Sequence, residues 1–362
     1  MVKEKYDRVL LTGASGFIGR RLTAILLERG IRVRALYRSN DISNHFESLP
    51  DGQLEVMQGD ISDPADIGRI VSGCDAVIHA AGLTIDWGPF EDFKTHNYTA
   101  AVNLVHAAEE AGCAVFLYIS SASVHGFGTH VSTTEEGPFY PLRYPYPQTK
   151  KMAEEYLIAR NRPGFRVTVI RPGNAYGPGD RTSTYEMYRQ ITRGTMGYIG
   201  GGRYYTCPVF IDDLCGGIVT ALSTEAAAGE VIIISDGQKV TWKEYTERMF
   251  EAAGSAKKPV NLPVGAAYAA AGLLTMVYRL LGIRKPPALT LYRVEQAAHH
   301  YHFDNSKARR LLGFEPTIFF REGLRITADA FFRDEEKRMA GKRAGCGRRR
   351  QGVTRGLPGA GL

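Results

Sequence analysis

Tyr146 and Lys150 stand four residues apart in YPYPQTKKMAEEYL (144–157), where two prolines precede a helical run. Residues four apart share one helix face, and Pro147 suits a first helical turn. A free tyrosine titrates near 10 and is a poor base at neutral pH. An ammonium one turn away favours the phenolate and lowers that pKa, which makes the pair a usable proton acceptor or donor. The spacing alone is common, and a surface helix with a solvated lysine shows it too. A second stretch, YISSASVHG (118–126), ends an apolar run and places Ser121 25 residues before Tyr146. A hydroxyl there can bond a substrate oxygen and steady the phenolate, and Ser123 is the fallback serine. The chemistry these residues suit is proton transfer at an alcohol or carbonyl oxygen.

A third stretch suits phosphate. TGASGFIG (12–19) puts Gly13, Gly16 and Gly19 between an apolar run and an amphipathic one. One glycine permits the tight turn, the next lets backbone approach a pyrophosphate, and the third lets helix and strand pack closely. The turn made by Ser15, Gly16, Phe17 and Ile18 then offers free N–H groups and the positive end of the helix dipole.

These residues need a scaffold, and the first two hundred residues supply its pattern. β-rich runs at 8–13, 31–38, 54–60, 75–82, 114–121 and 166–174 alternate with helical runs. The helices are expected at 17–30, within DPADIGRIVSG after an Asp cap, over 89–112, and from about Tyr146. This rhythm predicts an α/β fold, a doubly wound parallel sheet of the Rossmann type covered on both faces. Ligands on such sheets bind at the carboxyl ends of the strands, where all three stretches fall. The division expected is a dinucleotide-binding domain over 1–180 with a return to the sheet over 205–235. A smaller, mostly helical substrate lobe is expected over 181–204 and 236–332. TWKEYTERMFEAAG in that lobe opens with a Thr cap and Glu244 three residues on, a capping box.

The glycine spacing, the serine turn, YxxxK and RPGNAYGPGD (171–180) agree in order and spacing over roughly residues 6–332. Together they resemble the extended short-chain dehydrogenase/reductase family, the NAD-dependent epimerase/dehydratase superfamily. That resemblance implies an NAD(P)-dependent oxidoreductase with the triad Ser121, Tyr146 and Lys150. It implies cofactor contacts at Gly13, Ser15, Gly16, Phe17, Ile18 and Gly19, and at Asp60 and Ile61 on the adenine side. It also implies contacts at Ala80, Ala81 and Gly82 beside the adenosine, and at Tyr146, Lys150, Pro172 and Gly173 at the nicotinamide. Ser123 and Asn174 become substrate contacts. Asn97 resembles the family's fourth residue, although an Asn at a helix start serves equally as a cap. His125 stands where the family's stretch usually reads Tyr, and His79 reads as a packed strand-end histidine. The second strand ends in ALYRSND, with Arg38 where an NAD enzyme usually has an acid. Arg suits a 2′-phosphate, so NADP(H) is favoured; Asp41 keeps NAD(H) open.

Ala122 and Ser123 follow Ser121, without the acidic neighbours that drive elimination in the family's dehydratases. Thr206 and Cys207 stand where epimerases hold a diphosphate with Arg, and Arg203 is offset. WGPFEDF (87–93) and an aromatic second lobe with Tyr198, Tyr204, Tyr205, Tyr268 and Tyr278 look more like the 3β-hydroxysteroid dehydrogenase group. The expected substrate is a hydrophobic secondary alcohol or ketone. A nucleotide-sugar epimerase with tightly held NAD and a non-catalytic NAD(P)-binding regulator remain the alternatives. The resemblance also implies a homodimer through the helix near 89–112 and the Tyr146 helix.

Composition narrows the rest. The chain has 362 residues and a net charge of +7. Eight Lys/Arg and no acid lie from Lys337 onward, so residues 1–336 carry −1. The basicity belongs to a tail, 333–362, expected to be disordered, and no specific nucleic-acid partner is expected. Five dispersed cysteines without a CxxC pair fit reduced thiols. The N-terminus runs into a strand without a signal-peptide core, so a cytoplasmic protein is expected. The run 264–282 is apolar but short for a membrane span. It reads as a helix packed inside the second lobe, with peripheral lipid contact open. HHYH (299–302) has no partner at ligand spacing and is taken as structural; no metal is expected.

Overall fold

The computed structural model describes residues 6–38 and 52–351, with side chains through residue 340. Seven strands form one parallel sheet: β1 Arg8–Thr12, β2 Arg32–Tyr37, β3 Leu54–Gln58, β4 Ala76–His79, β5 Val115–Ile119, β6 Arg166–Pro172 and β7 Val231–Ile234. Their order is β7-β6-β5-β4-β1-β2-β3, with every neighbouring pair parallel. The order reverses between β1 and β4, which opens a crevice at their carboxyl ends. β1 is apolar at successive positions because both sheet faces are covered. Val9 and Leu11 join the core on one side and Leu10 the core on the other, the period of two expected of a pleated strand.

The connecting helices follow the sequence pattern. α1 (Phe17–Glu28) and α2 (Pro64–Val71) come first, and Asp63 caps α2 by accepting from Ala65 N at 3.0 Å. α3 (90–110) is continuous, but its middle, Lys94–Thr99, is a π-helical turn. α4 (Pro145–Ile158) carries Tyr146 and Lys150. α5 (Thr184–Arg193), α6 (Ile211–Ser223) and α7 (Trp242–Ala252) follow, and Thr241 caps α7 by accepting from Glu244 N at 3.1 Å. α8 (Val264–Leu280), α9 (Leu291–Ala298), α10 (Ser306–Leu312) and α11 (Phe320–Gln351) complete the chain.

Three expectations change. Of the return over 205–235, only β7 joins the main sheet. Pro208–Phe210 pairs instead with Asn174–Tyr176, a short strand broken from β6 at Gly173, and Tyr205–Thr206 pairs with Val240–Thr241. A proline without an N–H is poorly placed inside a central ladder, whereas the continuous apolar run of β7 suits one. The segment 333–351 is helical, not disordered, because α11 continues to Gln351. Its Arg, Lys, Glu and Ala are strong helix formers, and Arg325–Asp329 and Arg338–Glu335 pair along its surface. Residues 352–362 lie outside the described residues. Third, α8 is not packed inside the lobe. Only Ala267 and Ala271 are buried, against Val294 and Ala298 of α9, since small side chains allow close helix contact on one stripe alone. Among the described residues no helix is long and apolar enough to cross a membrane. HHYH leads into a strand, Tyr301–Phe303, beside His130–Thr133. His300 and His302 accept backbone N–H groups of Tyr205 and Ser132, and no metal-holding cluster occurs among the described residues.

Candidate active site and dinucleotide cleft

The crevice between β1 and β4 widens into a cleft of about 610 Å³ that runs from Arg38 and Asp60 to the Tyr146 hydroxyl. Its floor is the glycine turn. Gly13 has φ +70°, and a Cβ there would sit 2.7 Å from Ala81 N; one at Gly19 would sit 2.1 Å from Gly13 O. Neither position admits a side chain, so loop, helix and the β4 turn close to a spacing only backbone can share. α1 opens at Gly16 without a side-chain cap, leaving its first N–H groups directed at the cleft. This cradle fits the diphosphate of a dinucleotide.

The residues expected at a cofactor converge. Gly13, Ser15, Gly16, Phe17, Ile18, Gly19, Arg38, Asp60, Ile61, Ala80, Ala81, Gly82, Tyr146, Pro172 and Gly173 all line the cleft, as do Ser121 and Asn174. Asp60 is held in place by accepting from Ser62 N at 2.8 Å. Arg38 is exposed at the tip of β2, and Asp41 lies outside the described residues. Lys150 sits beneath the floor, where a Cβ on Gly82 would be 3.3 Å from its Nζ.

The strand-to-turn junction sorts the serines. Alternation along the extended chain sends Ser120 down, where its hydroxyl donates to Glu154 at 2.7 Å, and Ser121 toward Tyr146. Burial pushes the Tyr146 pKa up, and the hydrogen bond with Ser121 pulls it back. The downward pull therefore comes from the serine, not from Lys150 as the spacing alone implied. Lys150 donates instead to Ile119 O at 2.8 Å and lies 4.6 Å from the centre of the Tyr118 ring. Burial pulls its pKa down to about 7, against the opposing field of Glu154. A buried amine near neutrality carries less of the charge that would favour the phenolate.

Three further residues have roles that their neighbours in the fold define. Asn97 is no cap: it lies inside the π-helical turn, buried, and grips Leu83 through both N–H and C=O (2.7 and 3.1 Å) while donating to Thr149 at 3.2 Å. It ties the adenosine-side loop to α4. Ser123 does not line the cleft; it is buried and donates to Ser121 Oγ at 2.9 Å. His125 lies parallel to Phe139 with ring centres 4.5 Å apart, and its Nε2 accepts from Arg171 at 2.9 Å. Burial and then Arg171 pull its pKa to about 3, so it is a neutral acceptor. Arg171 also holds Glu154, and this fixes the turn from beneath. His79 is buried, bonded to Thr12 at 2.7 Å, and held near pKa 3 chiefly by burial.

The aromatic wall of the cleft is built from residues other than the second-lobe tyrosines. Tyr198, Tyr204, Tyr205, Tyr268 and Tyr278 do not line the cleft; Tyr204 and Tyr205 pack on His300, and Tyr278 on Trp87. The wall is Tyr176, Trp242, Tyr245, Tyr292, Gln296 and Tyr301. Thr290, which accepts from Arg293 N at 3.2 Å, caps α9, and Tyr292 and Gln296, four apart, face the cleft together. That cap and spacing were the available signal. Burial raises the Tyr292 pKa and the Ser123 hydroxyl opposes it; Ser123 in turn donates to Ser121, so Tyr292 is linked to the serine pair beside Tyr146. Tyr292→Phe should cost about fivefold in kcat/KM, the worth of roughly 1 kcal/mol for a buried hydrogen bond. Ser123→Ala should cost a similar amount, and a double-mutant cycle should show the two effects overlapping. Full additivity would disconnect Tyr292 from the serines.

Residues 9–235 match the model of the NAD dependent epimerase/dehydratase family. A 2-alkyl-3-oxoalkanoate reductase of Stenotrophomonas maltophilia is 27% identical, covering 88% of this chain and 97% of that protein. A 4-hydroxy-2-methyl-3-oxo-4-farnesyl-3,4-dihydroquinoline-1-oxide ketoreductase of Stigmatella aurantiaca is 30% identical over 88% of this chain and 94% of its own. A 3-beta-hydroxysteroid dehydrogenase of Mycolicibacterium neoaurum is 29% identical, covering 85% and 87%. The UDP-glucose 4-epimerase structure from Thermotoga maritima superposes with a TM-score of 0.72 at 24% identity, covering 90% of this chain and 99% of that one. That likeness concerns the fold.

Proposed function

The chain belongs to the NAD-dependent epimerase/dehydratase family and is an NAD(P)-dependent dehydrogenase/reductase, and we propose that it interconverts a secondary alcohol and a ketone on a hydrophobic molecule. The carrying observation is that Ser121 and Tyr146 line one cleft together, where the glycine cradle meets an aromatic wall. Bound nicotinamide supplies or accepts the hydride. Ser121 holds the substrate oxygen, and Tyr146 gives that oxygen a proton in reduction or takes one in oxidation. Lys150, locked on Ile119 O, supports Tyr146 from below. Tyr292, Tyr301 and Trp242 exclude water and offer apolar area to the substrate body. Curated relatives named for alkyl-oxo acids, a farnesylated ketone and steroids support an apolar substrate. A screen of apolar ketones and alcohols, read by nicotinamide absorbance, tests the reading. Turnover of a nucleotide sugar without added cofactor would replace it with the epimerase alternative.

For the cofactor we favour NADP(H). The support is Arg38, which lines the adenosine end of the cleft and can form charge-assisted bonds to a 2′-phosphate. Arg38→Ala should weaken NADPH binding by about 10- to 100-fold and leave NADH within about twofold, as fluorescence titration would read. Equal losses for both would remove Arg38 from 2′-phosphate recognition.

A further inference from the structure

α8 presents its apolar side outward. Leu273, Met276, Val277 and Leu280 recur at helical spacing and are 58%, 53%, 37% and 79% exposed, and Leu281 beyond them is 68% exposed. Six of the fourteen exposed large hydrophobic side chains among the described residues fall within 273–283. The opposite stripe, Ala267 and Ala271, is the one that packs on the protein. A helix of about 25 Å whose small residues face in and whose large apolar residues face water is a surface awaiting a partner.

The charges around it select the partner. From residue 255 to 294 there is no Asp or Glu, while Lys257, Lys258, Arg279, Arg284, Lys285 and Arg293 are all cationic. Arg293 is paired with Asp86, and Arg279 lies over Trp87; Arg284 and Lys285 are exposed just past the leucines. A second copy meeting this face through a two-fold contact would bring the same uncompensated cations together. An anionic lipid surface takes both features, headgroups for the cations and acyl chains for the leucines. We propose that the outer face of α8, with the turn at 281–285, docks on a bilayer containing anionic lipid. α8 packs on α9, whose Tyr292 and Gln296 wall the cleft, so docking would set that wall beside the membrane. The proposal does not depend on the substrate reading, because binding is measured without turnover.

The test is co-sedimentation of the full chain with phosphatidylcholine vesicles, alone or with about a third phosphatidylglycerol. The wild type should bind the anionic vesicles preferentially. Leu280→Glu with Leu281→Glu should reduce that binding about tenfold or more while leaving circular dichroism and cofactor binding unchanged. The basic run after Lys337 is intact in that variant, so the loss reports on α8. Arg284→Gln with Lys285→Gln should weaken the phosphatidylglycerol preference, and a preference unchanged from wild type would remove these cations from the docking face. Wild-type indifference to both vesicles, or undiminished binding by the Glu variant, overturns the proposal. So does self-association that the Glu substitutions abolish in a chain that ignores vesicles; that result would give the face to a second copy.

Discussion

Tyr146→Phe should lower turnover by about 10²–10⁴-fold, the usual worth of a positioned general acid or base, and leave cofactor affinity nearly unchanged. The substitution keeps the ring and deletes only the hydroxyl that Ser121 holds. The glycine cradle, on the other side of the cleft, is untouched. NADPH titration beside single-turnover kinetics separates the two effects. A variant with wild-type rates would take Tyr146 out of the mechanism, and a variant that no longer binds cofactor would recast it as a binding residue.

Glu154→Gln is the second large effect, and it acts on stability. The Glu154 and Arg171 side chains are 2% and 3% exposed, and removing one charge of such a buried pair strands the other. That costs about 3–5 kcal/mol, which should appear as a lower urea midpoint. The double variant Glu154→Leu with Arg171→Met should recover most of the loss, since a well-packed apolar pair of similar volume is often neutral. If the double variant is as unstable as the single, the pair is not the cause. The same change reaches the chemistry. Glu154 is the group that raises the Lys150 pKa against burial. Without it that pKa should fall further below about 7, and the lysine's limb in the pH–rate profile should move toward acid.

Over residues 8–174 the primary structure was enough for the main strands and helices and for the residues within them. A period-two apolar run, a glycine triplet and a capped amphipathic helix are local signals, and each depends on backbone preference over a few neighbours. For this reason β1, the phosphate turn and α4 are legible, and Tyr146 and Lys150 share a face before any fold is known. Relations across distance were decided only by tertiary structure. The direction of Ser120 and Ser121 depends on where β5 ends. The work of His125 depends on Arg171, 46 residues away. Asn97 stays open between a cap and the family's fourth residue in the sequence, because its grip on Leu83 and Thr149 exists only once three segments meet. The cleft wall gathers residues of α7, α9 and two short strands, not the tyrosines singled out in the sequence. α8 turned its leucines outward because packing chose its alanine stripe. Burial, charge neighbourhood and the facing of long side chains are properties of the assembled volume. No local pattern encodes them.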